Sequence, residues 1–514
     1  MNSIELSIFS SRLSSVCDEM GAVLQRAAFS PNIKDRLDFS CAVFDCAGRL
    51  SAQAAHIPVH LGSMAYAMQG IVDRFDWQIG DMVVFNDPYL GGTHLPDVTL
   101  VCPVHQDGAL LGFVANRAHH ADIGSETPGS MPLATSLEEE GLIIAPQKIM
   151  RAGEGSDEFR KILAKLGNSV ESVGDFNAQI SANLRGSQRL CAILTEYGAE
   201  LYITAIDQLN GYGDRLMSQL IRQIPEGVYD FEDVMDGDGV GTDDIKIKLS
   251  LNITGKQVMA DFSGSARQVS GNINCPLSVV AAAVYYVFRC LMPDNTPACF
   301  GVYQRIKIHA EKGSLLNANK PAAVAAGNVE TSTRLVDVVL GALAKAIPEQ
   351  IPAASHGSMN NVAMGARSAQ ANWNYYETIG GGMGAGAKYD GLSAIQTHMT
   401  NTLNTPIESL EAHYPLRVDR YQIRRGSGGL GSCTGGHGVV REITFLQAAQ
   451  LTLLTERRRH QPWGLLGGQD GLCGKNQLND VDLPAKASMD VVAGDQLTIS
   501  TPGGGGYGRP PRGQ

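Results

Sequence analysis

Apolar residues recur at three- and four-residue steps from the first turns of the chain: Leu6, Phe9, Leu13, Val16, Cys17, Met20, Val23, Leu24 and Ala27. That period describes an amphipathic helix with one buried face. A polar loop then runs into a strand beginning at Phe39, with Asp38 at the strand's start as a ligand or a cap. Residues 98–104 and 109–115 read as two strands joined through Gln106-Asp-Gly108. Asp-Gly between two apolar runs is a strong hairpin signal. If Asp107 and Gly108 form a two-residue turn, Gln106 faces Ala109. Counting back, Asp97 faces Ala118 and Pro96 faces His119.

Residues 157–223 are helical in period, with breaks expected near Gly174 and at Gly211-Tyr-Gly213. Residues 229–234, 245–253 and 257–262 alternate as strands with one wet face. Residues 277–290 and 332–346 read as buried helices. The second opens after Gly327-Asn-Val-Glu-Thr331, where free N–H groups could receive an anion. The whole pattern predicts a multidomain α+β protein of mixed sheets with packed helices. The expected divisions are an N-terminal α/β domain carrying a metal site (1–225), a middle α+β domain (226–365) and a Gly-rich, mainly β C-terminal domain (366–514).

The 58 glycines cluster late, in Gly380-Gly-Gly-Met-Gly-Ala-Gly386, residues 426–438 and Thr501-Pro-Gly-Gly-Gly-Gly-Tyr-Gly508. None has the GxxxxGK[ST] form or the strand-to-helix context of a dinucleotide loop, so turns and close backbone packing are expected there. The 514 residues carry a net charge of -11 and a pI near 5.6, which argues against nucleic acid or an anionic membrane as partner. The longest apolar run, residues 279–288, falls short of a bilayer span. Ten cysteines without a CxxC pair suggest neither a zinc ribbon nor a disulfide framework. With no signal segment at the N-terminus, the expectation is a soluble, reduced, cytoplasmic protein.

Chemistry concentrates in Asn86-Asp-Pro-Tyr-Leu-Gly-Gly-Thr-His-Leu-Pro-Asp97, which Pro88 and Pro96 shape as a loop. At the open end of the hairpin, His94 and Asp97 meet His119 and His120. Such a rim can cap strand ends, or it can form the first shell of a divalent metal; the convergence of the set favours the metal. His94, Asp97 and His119, with Asp38, would leave room for water or a substrate oxygen. His120 and Asp122 then stand as catalytic candidates, holding a ligand's second nitrogen or moving a proton. His56 and His60 flank Pro58 and read as packed or hydrogen-bonded histidines. Glu138, Glu139 and Glu140 read as a solvated face, and residues 236–244 as an acidic turn. Cys41 and Cys102 lie in apolar strands, where a structural thiol is favoured over a nucleophile.

Taken together, several stretches resemble the hydantoinase B/oxoprolinase family. They are Asn32-Ile-Lys-Asp-Arg-Leu-Asp-Phe-Ser-Cys-Ala42, His56-Ile-Pro-Val-His-Leu-Gly62, residues 86–97, residues 117–129, Asp261-Phe-Ser-Gly-Ser265, His398-Met-Thr-Asn-Thr402, Pro406-Ile-Glu-Ser-Leu-Glu411, Pro462-Trp-Gly464 and residues 501–508. The resemblance implies a B-type catalytic subunit acting on a small cyclic amide, a hydantoin, N-methylhydantoin, 5-oxoproline or lactam. It also implies a hydantoinase A-type partner that brings ATP and Mg, in a hetero-oligomer such as A2B2, in keeping with the missing phosphate loop. Metal ligands carried over from the family fall on Asp38, His94, Asp97 and His119, for one divalent ion such as Zn, Mn or Fe. Related large subunits carboxylate ketones, so the resemblance leaves a ketone carboxylase open. A non-catalytic scaffold with structural histidines is a third reading.

Overall fold

The computed structural model describes residues 1–55, 57–367 and 372–511. Its N-terminal helix, Ser3–Ala27, starts at a reciprocal cap between Asn2 and Glu5. It buries Phe9, Leu13, Val16, Cys17, Met20 and Leu24, the face its periodicity marks. That face packs on helix Val170–Tyr197, which in turn lies on the first sheet.

The first sheet holds β1 (Phe39–Asp45), β2 (Leu50–Ala55), β3 (Met82–Phe85), β4 (Asp97–Gln106), β5 (Ala109–His119), β6 (Gln147–Arg151) and β7 (Glu154–Gly155), in the order β2-β1-β5-β4-β3-β6-β7. The β4–β5 hairpin forms at Asp107-Gly108, but its register changes between Val104 and His105. Near the turn Gln106 faces Ala109. Beyond the irregularity Val104 faces Gly112, so Asp97 faces His119 rather than Ala118. One extra residue on β5, a β-bulge, shifts every outer pair by one. Counting from the turn cannot see it.

A second sheet, order β11-β10-β9-β8, contains β8 (Gly227–Gly237), β9 (Asp243–Ile253), β10 (Val258–Asp261) and β11 (Ile306–His309). Residues 236–244 span the end of β8, the connection 238–242 and the start of β9, and in the connection the Asp238 carboxylate accepts the N–H groups of Val240 and Thr242. The C-terminal part is mainly β. Strands β12 (Asn361–Arg367), β13 (Asn372–Glu377), β14 (Leu416–Arg424), β15 (Gly438–Phe445), β16 (Ala449–Leu454), β17 (Lys475–Leu478), β18 (Val481–Leu483), β19 (Lys486–Val491) and β20 (Gln496–Ser500) make two further sheets. Their orders are β13-β12-β16-β19 and β14-β15-β20-β17-β18. The architecture is α+β. No helix among the described residues is long and apolar enough to cross a membrane, and all ten cysteines are free thiols.

Several expectations need correction. The helices Val170–Tyr197 and Ala199–Gln223 run unbroken through Gly174 and through Gly211-Tyr-Gly213. Gly174 and Gly213 serve packing: a Cβ on Gly174 would lie 2.3 Å from the Phe29 ring, and one on Gly213 2.7 Å from Cys299 Sγ. The interruptions fall instead at residues 166–169 and at Gly198. Glu140 is not on a solvated face. It is fully buried, and its Oε1 accepts the N–H groups of Val324 and Ala325, each at 2.7 Å. Residues 327–331 are helical and continue into helix Ser332–Ala344. The N–H groups of Val324 and Ala325 ahead of that helix, where an anion was expected, are taken by the chain's own buried Glu140 carboxyl group.

Candidate metal centre

The loop from 86 to 97 is built before any metal is considered. Asn86 donates to Leu95 O (2.8 Å) and Leu142 O (3.0 Å) and accepts from Ile144 N (2.7 Å). Pro88–Leu90 is a single 3-10 turn, with the Asp87 side chain accepting from Tyr89 N. Gly91 ends it at φ 96, where an added Cβ would sit 2.3 Å from Ala67 Cα; only glycine meets both demands. From β5, the buried Arg117 donates to Thr99, Ser63 and the Gly91 carbonyl, fastening the loop to the sheet.

This frame delivers four of the expected residues to one place. His94 Nε2 is 3.2 Å from Asp97 Oδ1, and His119 Nδ1 is 3.4 Å from the same oxygen. Asp38 stands farther out, its Oδ2 3.9 Å from His119 Nδ1, while its carbonyl accepts the His119 N–H at 3.0 Å. The ligand atoms of His94, Asp97 and His119 all lie within 4.8 Å of one another, and so do those of Asp38, His60 and Asp97.

The two oxygens of Asp97 have different surroundings. Oδ2 is held by His60 Nε2 at 3.1 Å and by the Thr93 hydroxyl. His60 is held in turn through Nδ1 by Ser40 Oγ at 3.0 Å. Oδ1 has no hydrogen bond among the described residues, and neither have His94 Nδ1 and Nε2 or His119 Nε2. The short contacts from Oδ1 to the imidazoles therefore bring donor atoms close without pairing them. Leaving such groups buried and unpaired costs about 1–3 kcal/mol each, and a shared cation satisfies them together. Two imidazoles with carboxylate oxygens are a donor set for zinc, manganese or iron. Burial alone would raise the Asp97 carboxyl; the His94 and His60 imidazoles and the His119 contact hold it well below the usual carboxylate range. These residues fit a divalent ion.

The site has a second wall that the hairpin did not announce. Tyr376, on β13, stacks on His119 with centroids 5.2 Å apart and planes 8° apart. The Arg36 guanidinium covers the same phenol ring at 4.8 Å and donates to Tyr376 O at 2.6 Å. Asn328, Val329, Met359, Thr378, Thr400 and Thr402 complete a cavity of about 20 Å3 around the cluster. That is room for one ion or water and not for a ring.

His120 and Asp122 do not join the group. His120 Nε2 bonds to Gln179 Oε1 at 2.9 Å, and its ring lies 4.6 Å from Phe176, on the helix side of the sheet. Neighbouring strand residues point to opposite faces, so a hairpin that aims His119 at Asp97 turns His120 away. Asp122 is one-third exposed and pairs with Arg367 at 2.9 Å. His60 is the hydrogen-bonded histidine its sequence context suggested, but its partner is Asp97 itself; His56 lies outside the described residues. Thr93 and His60 carried only the signal of being polar beside the key loop. Tyr376 and Arg36 carried none, because 340 positions separate them.

Known proteins share this chain's sequence and fold. A family model described as hydantoinase B/oxoprolinase matches residues 2–510. The 5-oxoprolinase of Dictyostelium discoideum is 38% identical over 99% of this chain and 40% of its own length. A Pseudomonas sp. protein named as the B-type subunit of a D-/L-hydantoinase is 33% identical over 97% of this chain and 88% of its own. This chain thus spans about two fifths of the oxoprolinase and nearly all of the hydantoinase component. The solved ATP-dependent caprolactamase from Pseudomonas jessenii is similar at TM-score 0.93 and 27% identity, over 100% of this chain and 92% of that one. The chain belongs to the hydantoinase B/oxoprolinase family.

Proposed function

We propose that this chain is the B-type catalytic subunit of an ATP-dependent cyclic amidase, working with an A-type partner that binds ATP and Mg. The observation that carries the reading is the buried His94–Asp97–His119 cluster, with its unpaired donor atoms, in a chain of this family. The names of the relatives, a 5-oxoprolinase, a hydantoinase component and a caprolactamase, supply the substrate class.

A ring amide is stabilised by resonance, and opening it must overcome that. Phosphate transferred by the partner to the ring carbonyl oxygen leaves an electrophilic, imidate-like carbon with a phosphate leaving group. Water adds at that carbon, the ring C–N bond breaks with the nitrogen taking a proton and leaving as an amine, and a second water cleaves the acyl phosphate left behind to the carboxylic acid and inorganic phosphate. A divalent ion held by Asp38, His94, Asp97 and His119 would supply Lewis acidity for this step near neutral pH. The chain's own part is to hold and exclude. His60 and Thr93 fix Asp97 by Oδ2, leaving Oδ1 toward the imidazoles. Tyr376 and Arg36 clamp the His119 plane, and burial keeps bulk water from the cluster.

The test is metal content and turnover together. The purified chain should hold about one equivalent of divalent metal, and a folded Asp97→Ala/His119→Ala variant none. With the A-type partner and ATP, a hydantoin, 5-oxoproline or lactam should open with equal release of ADP, and the variant should lose that activity. Ring opening without ATP, or full activity in the metal-free variant, would overturn the reading. ATP use that requires bicarbonate and a ketone would move it to a carboxylase.

A further inference from the structure

His119 Nε2 has no hydrogen-bond partner among the described residues, and Nδ1 stands 3.4 Å from Asp97 Oδ1, longer than an ordinary hydrogen bond. A ligating imidazole is usually held in plane through its second nitrogen. Here the plane is held through the ring face, by the Tyr376 phenol stacked on it. What fixes the phenol therefore fixes the ligand.

The phenol is anchored through its hydroxyl. Tyr376 donates at 2.6 Å to Asn361 Oδ1, and both residues are buried. The Asn361 amide has no freedom to turn over, because Nδ2 donates both its protons, to Glu330 Oε1 at 2.7 Å and to Leu454 O at 2.9 Å. The Tyr376 proton is thus committed to Asn361 and is not offered to the metal cavity. Glu330 Oε1 also accepts the Met359 N–H at 2.9 Å. Glu330 belongs to the wide π turn Gly327–Thr331, a form frequent at functional sites. Asn328 and Val329 of that turn, Met359 and Tyr376 all line the metal cavity. One oxygen of a fully buried carboxyl group, unused in the mechanism above, joins three separate parts of the cavity wall.

We propose that Asn361 and Glu330 are positioning residues of the metal centre; this rests on the metal reading above. Glu330 orients the Asn361 carboxamide, Asn361 fixes the Tyr376 hydroxyl, and the phenol holds His119 in its ligating plane. Neither residue is a ligand. Their effect on the ion passes through one hydrogen bond, from Tyr376 to Asn361.

The test is metal affinity of the full chain, by competition with a chromophoric chelator for zinc, or for manganese or iron if the parent holds that instead. Tyr376→Phe keeps the stacked ring and removes only the hydroxyl. It should fold as the parent does and bind the ion about tenfold more weakly, the low end of the loss when a ligand's supporting partner is removed. Asn361→Ala should weaken binding at least as far. The double variant should go no further than Asn361→Ala alone, because both changes break one hydrogen bond. Glu330→Gln keeps an oxygen for Met359 and Asn361 and should retain the parent's affinity, whereas Glu330→Leu should lose at least as much as Tyr376→Phe. Melting of the metal-free chains is followed alongside. Unchanged affinity in Tyr376→Phe, losses that add in the double variant, Glu330→Gln as weak as Glu330→Leu, or lowered melting with affinity intact each overturn the proposal and leave the metal reading standing. A parent chain that binds no zinc, manganese or iron overturns both.

Discussion

Asp97 makes four short contacts with three histidines and a threonine, and how they divide between its two oxygens decides what the site can do. One oxygen is committed to His60 and Thr93, so the other is presented with a fixed direction. Partners of this kind orient a ligand without touching the metal, and losing one typically lowers metal affinity about 10- to 100-fold. His60→Ala should therefore weaken metal binding by that factor in a chelator competition, with circular dichroism unchanged. Affinity equal to the parent's would show that Thr93 alone holds the carboxylate. His60 was legible as a hydrogen-bonded residue. Its bond to Asp97 was not, because Pro58 and 37 positions of chain hide the approach.

At the scale of elements, the hairpin and the glycine runs teach different lessons. Asp107 and Gly108 mark the turn unmistakably, and both have positive φ, yet the register at the far end depends on a bulge that composition does not encode. The glycine runs were expected to be turns and tight packing rather than phosphate loops, and packing dominates them. A Cβ on Gly504 would lie 2.1 Å from Met383 O, and one on Gly382 2.0 Å from Gly436 O. Gly108 is the opposite case: its φ is 80 and nothing lies within 4 Å of a Cβ. Gly108→Ala should cost about 1–2 kcal/mol for the left-handed backbone alone. Gly504→Ala meets immovable backbone and should cost more, beyond the roughly 1–3 kcal/mol of ordinary overpacking. Denaturant melts of the two variants check this; equal costs would mean that the glycine bundle is looser than its distances.

Across the whole molecule, buried charge joins segments far apart in sequence. Glu456 takes Lys486 at 2.6 Å and Arg334 at 3.1 Å, all three essentially inaccessible. Arg457 takes Asp233 at 2.8 Å and Asp337 at 2.7 Å. β8, helix Ser332–Ala344, the stretch after β16 and β19 are tied by these pairs. Glu140 adds a pH-dependent tie. Burial pushes its carboxyl from 4.5 up to about 8, against the two backbone N–H groups that lower it. Between those values the folded chain keeps a proton that the unfolded chain has lost, so stability falls as pH rises from about 4.5 to about 8. Glu140→Gln keeps an oxygen for Val324 and Ala325 but does not titrate. The melting temperature of the metal-loaded variant relative to the parent should therefore rise steadily between pH 5 and pH 8. A difference that is flat with pH, or larger in acid, would mean Glu140 is ionised when folded.

Local physics settled much from the residues alone: the period of the N-terminal helix, the Asp-Gly turn, the absence of a phosphate loop, and the loop whose prolines force a shape. It also brought His94, Asp97 and His119 to one rim, since strand pairing converts sequence spacing into distance. What the chain's order could not settle lies where packing, not local preference, decides. A bulge chose which imidazole faces Asp97 and turned His120 to the helix side. The second wall, with Tyr376 and Arg36, and the buried fate of Glu140 came from contacts across hundreds of residues. Such contacts are selected by shape and by the cost of unpaired buried groups, and no local pattern in the sequence records either.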